Sequence, residues 1–207
     1  TLLYPGAQQM QISASADFLN SFWEPYASIR KMKSSSGDGP KTVYVRFKGG
    51  TADESKSFSA TIQLDTAGPQ VEMLVNNGSS KTNSSNVQLS FNYSKQPVEM
   101  QVQDTNSFAD GRGWLKFANP YKYVLPAGDG EKLIYVRFKD SLGNISSVVE
   151  GRITLDTIAP SDPSMLINGG EETTKSLSVK LTLDVTGDDG ESVYMQISNN
   201  EDFTGAV

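Results

Sequence analysis

Residues 37–48 read GDGPKTVYVRFK, and 91 residues later residues 128–139 read GDGEKLIYVRFK. In the first copy Val43, Val45 and Phe47 alternate with Tyr44, Arg46 and Lys48. Successive side chains of a strand point to opposite faces, so this period of two predicts a strand with the first three residues buried and the others facing solvent. The second copy keeps the pattern, with Ile134, Val136 and Phe138 inside and Tyr135, Arg137 and Lys139 outside. The GDG before each strand reads as a tight turn, in which Gly supplies a positive φ and Asp bonds nearby backbone amides. A phosphate cradle would need a longer glycine loop opening a helix, and here a strand follows.

Working outward, the repetition covers the chain. IQLDTAGP at 62–69 returns as ITLDTIAP at 153–160, and Trp23 returns as Trp114, both 91 residues on. MQIS at 10–13 recurs at 195–198, with MQVQ at 100–103 between them, and LVNNG at 74–78 returns as LINGG at 166–170. The order of landmarks predicts three units. Residues 1–66 hold the later part of a module, 67–158 a complete one, and 159–207 the early part of a third. Further alternating runs, such as Val87, Leu89 and Phe91, are separated by Gly, Asn, Asp and Ser clusters. No long apolar stripe of helical period occurs. Strands this dense in a unit of about 90 residues predict an all-β fold of tandem immunoglobulin-like sandwiches.

Composition narrows the chemistry. The 207 residues contain neither Cys nor His, which removes thiol nucleophiles, serine–histidine relays and nearly every zinc or copper site. A net charge of −6 argues against nucleic-acid binding, which draws on clustered Lys and Arg. No apolar run approaches the ~18 residues of a membrane span, so no insertion is expected. The chain opens at Thr1 with no initiator Met or targeting segment, and is read as cut from something longer. Adjacent acids such as Glu171 and Glu172 would point to opposite faces of a strand, so no acid/base pair is formed and no enzymatic activity is expected.

The wording MQIS…DF…W..Y…GDG.KTVYVRFKD..GN.S…I.LDT..P resembles tandem immunoglobulin-like and fibronectin-III-like repeats of bacterial extracellular and surface proteins. The resemblance spans essentially the whole chain. It implies an extracellular or cell-surface location, and a role as stalk, fibre or adhesin arm whose partners are neighbouring modules of the same or an adjacent chain. The second reading is a carbohydrate-binding or accessory region of a secreted polysaccharide-processing enzyme, with a glycan or other surface ligand as partner; an isopeptide-crosslinked adhesin domain is a third. The chain departs from the pattern at the D..GN element, present once as Asp140, Gly143 and Asn144, because Lys48 is followed by Gly49 and Gly50.

Two candidate sites follow. Oxygen ligands at Asp140, Asn144 and Asp156 could hold calcium at a linker, although no segment has the spacing of a calcium loop and the acids differ between copies. No cofactor is otherwise expected. Tyr121 and Tyr123 alternate with Lys122 and Val124 and are candidates for stacking against a ligand. Trp23 and Trp114, equivalent across copies, are expected inside the sandwich. Prolines in the linkers at 66–70 and 157–163 restrict φ and stiffen the connections. An exposed half-sandwich invites pairing with another chain, which would give a head-to-tail filament, but the favoured expectation is that the 207 residues are a window on a longer array whose own neighbouring sequence completes the partial modules.

Overall fold

The computed structural model describes residues 6–49, 54–109, 113–186 and 194–206. The first sheet has β1 (Ala7–Ser13), β2 (Trp23–Pro25), β3 (Gly39–Gly49) and β4 (Phe58–Leu64), in the spatial order β2-β1-β3-β4 with every pair antiparallel. Eight strands follow: β5 (Val71–Val75), β6 (Lys81–Thr82), β7 (Asn86–Tyr93), β8 (Glu99–Gln103), β9 (Leu115–Lys116), β10 (Tyr121–Val124), β11 (Gly130–Lys139) and β12 (Val149–Leu155). They build one sheet in the order β10-β7-β5 and another in the order β6-β12-β11-β8-β9. A hairpin of β13 (Ser161–Ile167) and β14 (Leu181–Thr186) completes the described strands. The fold is all-β, with tandem sandwich modules of which one is complete and two are partial.

The middle module has the closed core. Val75, Val87, Leu89 and Phe91 of the three-stranded sheet meet Met100, Ile134, Val136, Phe138, Ile153 and Leu155 of the five-stranded one. The alternation in β11 is as expected, because Ile134, Val136 and Phe138 are all fully buried. Phe91 and Phe138 meet edge to face with ring centroids 5.0 Å apart, and Phe117 lies 6.0 Å from Phe138. Such pairs add to what burial alone contributes.

The first sheet carries the same positions in different company. Met10, Val45 and Phe47 form a small buried cluster. The counterpart of Ile153, which is 1% exposed, is Ile62 on β4, and it is 73% exposed. Among the described residues no second sheet packs on this one.

The tryptophans correct the sequence reading. Both are half-buried on the outer face rather than enclosed in the core. The Arg137 guanidinium lies 5.3 Å from the Trp114 ring centre and 4.4 Å from that of Phe108, and Lys139 Nζ lies 4.0 Å from Trp114. The first sheet repeats the stack with Arg46 over Phe18 and Trp23, and Lys48 over Trp23. The outward cations of β11 and β3 have long apolar stems, and the edge segments lay their indoles across them. The interior places are already filled by Phe91, Phe117 and Phe138.

Candidate functional site at the linker of residues 65–69

The connection between the first sheet and the middle sandwich gathers polar and charged side chains from three segments. Asp65 follows β4, Lys95 lies in the β7–β8 loop, and Asp140 and Asn144 lie in the β11–β12 loop. Lys95 Nζ sits 2.6 Å from Asp65 Oδ2, 2.6 Å from Asp140 Oδ2 and 2.7 Å from the Ala67 carbonyl oxygen. An ammonium has three N–H donors, and these three acceptors use them all. Asn144 Nδ2 donates to the Asp65 carbonyl at 3.1 Å and to Asp140 Oδ2 at 3.1 Å, which ties the loop to the linker a second time.

Asp140 is buried. Burial alone would raise its carboxyl, but the Lys95 ammonium, the Asn144 amide and the backbone N–H groups of Asn144 and Leu142 outweigh that and hold it well below the usual carboxylate range. Lys95 is raised above its ordinary value, first by its hydrogen bond to Asp140 and then by that to Asp65. The backbone fits as closely as the charges do. A Cβ added at Gly68 would collide with the carbonyl of Ile145, so the chain passes here only because Gly has no side chain.

The GDG turns take part in the linkers too. Gly37, Gly39, Gly128 and Gly130 all have positive φ, as a turn requires. The Asp does not bond the local amides expected of it. Asp38 Oδ1 accepts from Thr66 N at 3.0 Å and from Thr66 Oγ1 at 2.7 Å. Asp129 Oδ1 accepts in the same way from Thr157 N at 3.0 Å and Thr157 Oγ1 at 2.9 Å. Each turn therefore grips the segment that leaves its sheet, because β3 and β4 (like β11 and β12) are antiparallel neighbours and bring that turn beside the end of the last strand.

Of the calcium candidates, Asp140 and Asn144 come together, with Asp65 as the unexpected third oxygen donor and Lys95 between the two carboxylates. Asp156 lies apart, at the far end of the middle module, where its N–H bonds the Thr82 carbonyl and its Oδ1 accepts from Ile158 N. Among the described residues no group of three or more acidic side chains is placed to hold a metal ion. Tyr121 and Tyr123 point inward from β10 and pack half-buried against the core, while Lys122 and Val124 point out. Sequence reasoning did not single out Asp65 or Lys95. The first was visible only as the repeated acid in LDT, and the second carries no motif at all.

No family model matches the chain, and no curated protein matches it. Among solved structures, the fibronectin(III)-like modules of Clostridium thermocellum CbhA are similar with a TM-score of 0.33 and 12% identity, over 75% of this chain and 82% of that one. The tetra-tandem repeat in the extending region of a large adhesion protein is similar with a TM-score of 0.30 and 15% identity, over 91% of this chain and 57% of that one. The structural neighbours are thus fibronectin(III)-like modules and tandem repeats of an adhesion protein. No helix among the described residues is long and apolar enough to cross a membrane.

Proposed function

We propose that the chain is a non-catalytic structural segment, a stalk, fibre or adhesin arm, of an extracellular or cell-surface bacterial protein. Its work is to hold successive modules, with boundaries near residues 66 and 158, at a set angle. The observation that carries this reading is the clamp at the first linker, where Lys95 joins Asp65 of one module to Asp140 of the next. A covalent chain alone would leave the two free to swing, since intra-chain module contacts are small by default. Here charge, Asn144 and the Gly68 backbone contact oppose that swing together. The ammonium stands where a calcium ion would bridge carboxylates, so the linker needs no metal.

Spin labels on exposed positions of the first sheet and the middle module give the test. A narrow distance distribution is expected for the native chain, with a broad one for Lys95→Met. A native distribution as broad as the variant's would overturn the clamp. Excess chelator should leave both the distances and the melting temperature unchanged, and a fall restored by calcium would restore the metal reading.

The carbohydrate-binding alternative has one observation in its favour. Trp23 and Trp114 sit half-exposed on the outer face, where a sugar ring could stack. Binding on a glycan array that is lost in Trp114→Ala would support it.

A further inference from the structure

We infer that the outer stack of the middle module is a binding site for a uronic acid residue of an acidic polysaccharide, with Arg137 as the group that takes the sugar's carboxylate. The inference rests on the carbohydrate reading of this face and names the sugar that the face would hold. Two copies of the stack supply the argument. Arg137 lies 4.4 Å from the Phe108 ring centre and 5.3 Å from that of Trp114, and Arg46 lies 4.6 Å from Phe18 and 5.3 Å from Trp23. In both copies Nε donates to a buried glutamine, Gln101 Oε1 at 2.7 Å and Gln11 Oε1 at 2.8 Å. Each guanidinium is thus held in one orientation by a hydrogen bond and by the rings beside it. Four N–H donors remain on its Nη1 and Nη2.

The copies part at what those donors meet. In the first, Arg46 Nη1 donates to Glu54 Oε2 at 3.0 Å. Glu54 pairs with Lys48 as Ile145 pairs with Lys139, so Ile145 stands at the position of Glu54. Its side chain has no acceptor, and it is 48% exposed. The carboxylates nearby are engaged with other cations, Glu99 with Lys139 at 2.6 Å and Glu150 with Arg152 at 2.8 Å. Among the described residues no acceptor reaches Nη1 or Nη2 of Arg137. The first copy therefore seats a carboxylate of its own on the arginine, and the middle module presents the same arginine, oriented in the same way, without one.

Chemistry selects the ligand. A guanidinium fork matches a carboxylate through two parallel N–H···O bonds. A glutamate side chain uses the fork alone. A uronic acid carries its carboxylate directly on a pyranose ring, and the C–H face of that ring suits the half-exposed Phe108 and Trp114 beside Arg137. The net charge of −6 opposes an acidic polymer only weakly. At physiological salt, exposed charges farther away than about 8 Å are largely screened, so the contact is decided by Arg137 and its neighbours.

Isothermal titration calorimetry of the full chain with trigalacturonate, beside the carboxyl-reduced trisaccharide, tests this with three variants. Arg137→Lys keeps the charge and loses the fork. Ile145→Glu gives the middle module the acid of the first copy, and Glu54→Ala takes that acid away from Arg46. None of the three replaces a core side chain, so each should keep the native circular dichroism. The native chain should bind trigalacturonate at one site and the reduced sugar at least about tenfold more weakly, as expected on losing a charge-assisted pair of bonds. Arg137→Lys should weaken trigalacturonate by a similar factor. Ile145→Glu should abolish the site, and Glu54→Ala should raise the stoichiometry to two. Equal binding of the two sugars, lost in Trp114→Ala, would overturn the carboxylate assignment and leave the carbohydrate reading standing. An Ile145→Glu chain that binds like the native one, or a native chain that binds neither sugar, would overturn the inference. So would a glutamate-rich peptide that binds at Arg137 more tightly than trigalacturonate, since the ligand would then be a protein acid.

Discussion

Strands β3 and β11 carry nearly the same sequence and differ in what lies on them. In β11 the inward Ile134, Val136 and Phe138 are sealed by the opposing sheet, whereas the β3–β4 pair keeps a buried Phe47 beside an open Phe58 and Ile62. The alternating pattern therefore specifies which face is apolar, and the neighbouring sheet decides whether that face is dry. A motif can be intact in sequence and incomplete as a core.

The largest effect that sharpens this contrast is expected at Phe138. Truncating it to Ala should destabilise the middle module by about 3–5 kcal/mol, the range for a buried aromatic. Phe47→Ala should cost the first sheet clearly less, because water can enter the space left beside exposed Phe58. Denaturant unfolding followed by Trp114 fluorescence, in a Trp23→Phe background, reads the middle module, and Trp23 in a Trp114→Phe background reads the first sheet. Equal costs would break the comparison. Ile153→Ala should then cost about 2–5 kcal/mol, while Ile62→Ala in the monomer should stay within about 0.5 kcal/mol of native, as at plain surface sites. A large loss at Ile62 would show that its face is already covered.

The two linkers carry the contrast to the backbone. Gly68 of the first is replaced by Ala159 in the second. Gly68→Ala forces a methyl into the Ile145 carbonyl and should cost about 1–3 kcal/mol, the usual range for overpacking. Ala159→Gly should leave the melting temperature of the middle module nearly unmoved. A Gly68→Ala chain that melts like the native one would mean that the linker is free to move away from the β11–β12 loop. A smaller effect is expected at Arg137, which the alternation marks as a plain solvent residue. Its guanidinium is stacked by Phe108 and Trp114 and its Nε donates to Gln101 Oε1 at 2.7 Å, so Arg137→Ala should cost about 1 kcal/mol.

The strands and their inward faces were legible because period two is a local signal, written in adjacent residues such as 133–139. The repeat was legible for the same reason, since each landmark is a contiguous word. What depended on strand order was not. Asp38 reaches Thr66 because β3 and β4 run antiparallel, and 28 residues of separation hide that partnership from any local pattern. The tryptophans were misplaced because equivalence between copies says only that two residues share a role, and an outer stack repeats as faithfully as a core does. Asp140 and Asn144 were legible as a polar cluster, being four residues apart. The residue between the carboxylates was hidden, because Lys95 lies in another loop and only the packed sandwich brings it there.

That lysine frames the smallest difference between the two regions. The first sheet has Gly49 at the position of Asp140, so it has no counterpart of the clamp. Because the Asp140 carboxyl is held below its ordinary range, its contribution to stability is present at neutral pH and above the unfolded value near 4. It is lost progressively as pH falls through the depressed folded value. Lys95 is shifted the other way, so its contribution is complete below about pH 10 and fades only as pH rises past its raised value. Melting of the middle module should therefore be flat from about pH 5 to 9 with respect to this pair and should fall steeply below about pH 4. In Asp140→Asn the acid slope should be shallower and the neutral stability lower, while the first sheet, read through Trp23, should respond to acid alike in both chains. High salt should weaken the clamp less than it weakens the exposed Arg152–Glu131 pair, since a buried carboxylate is poorly screened. Identical acid slopes in the native and Asp140→Asn chains would show that the charge on Asp140 contributes nothing to the middle module, and the linker would then be held by Gly68 and Asn144 alone.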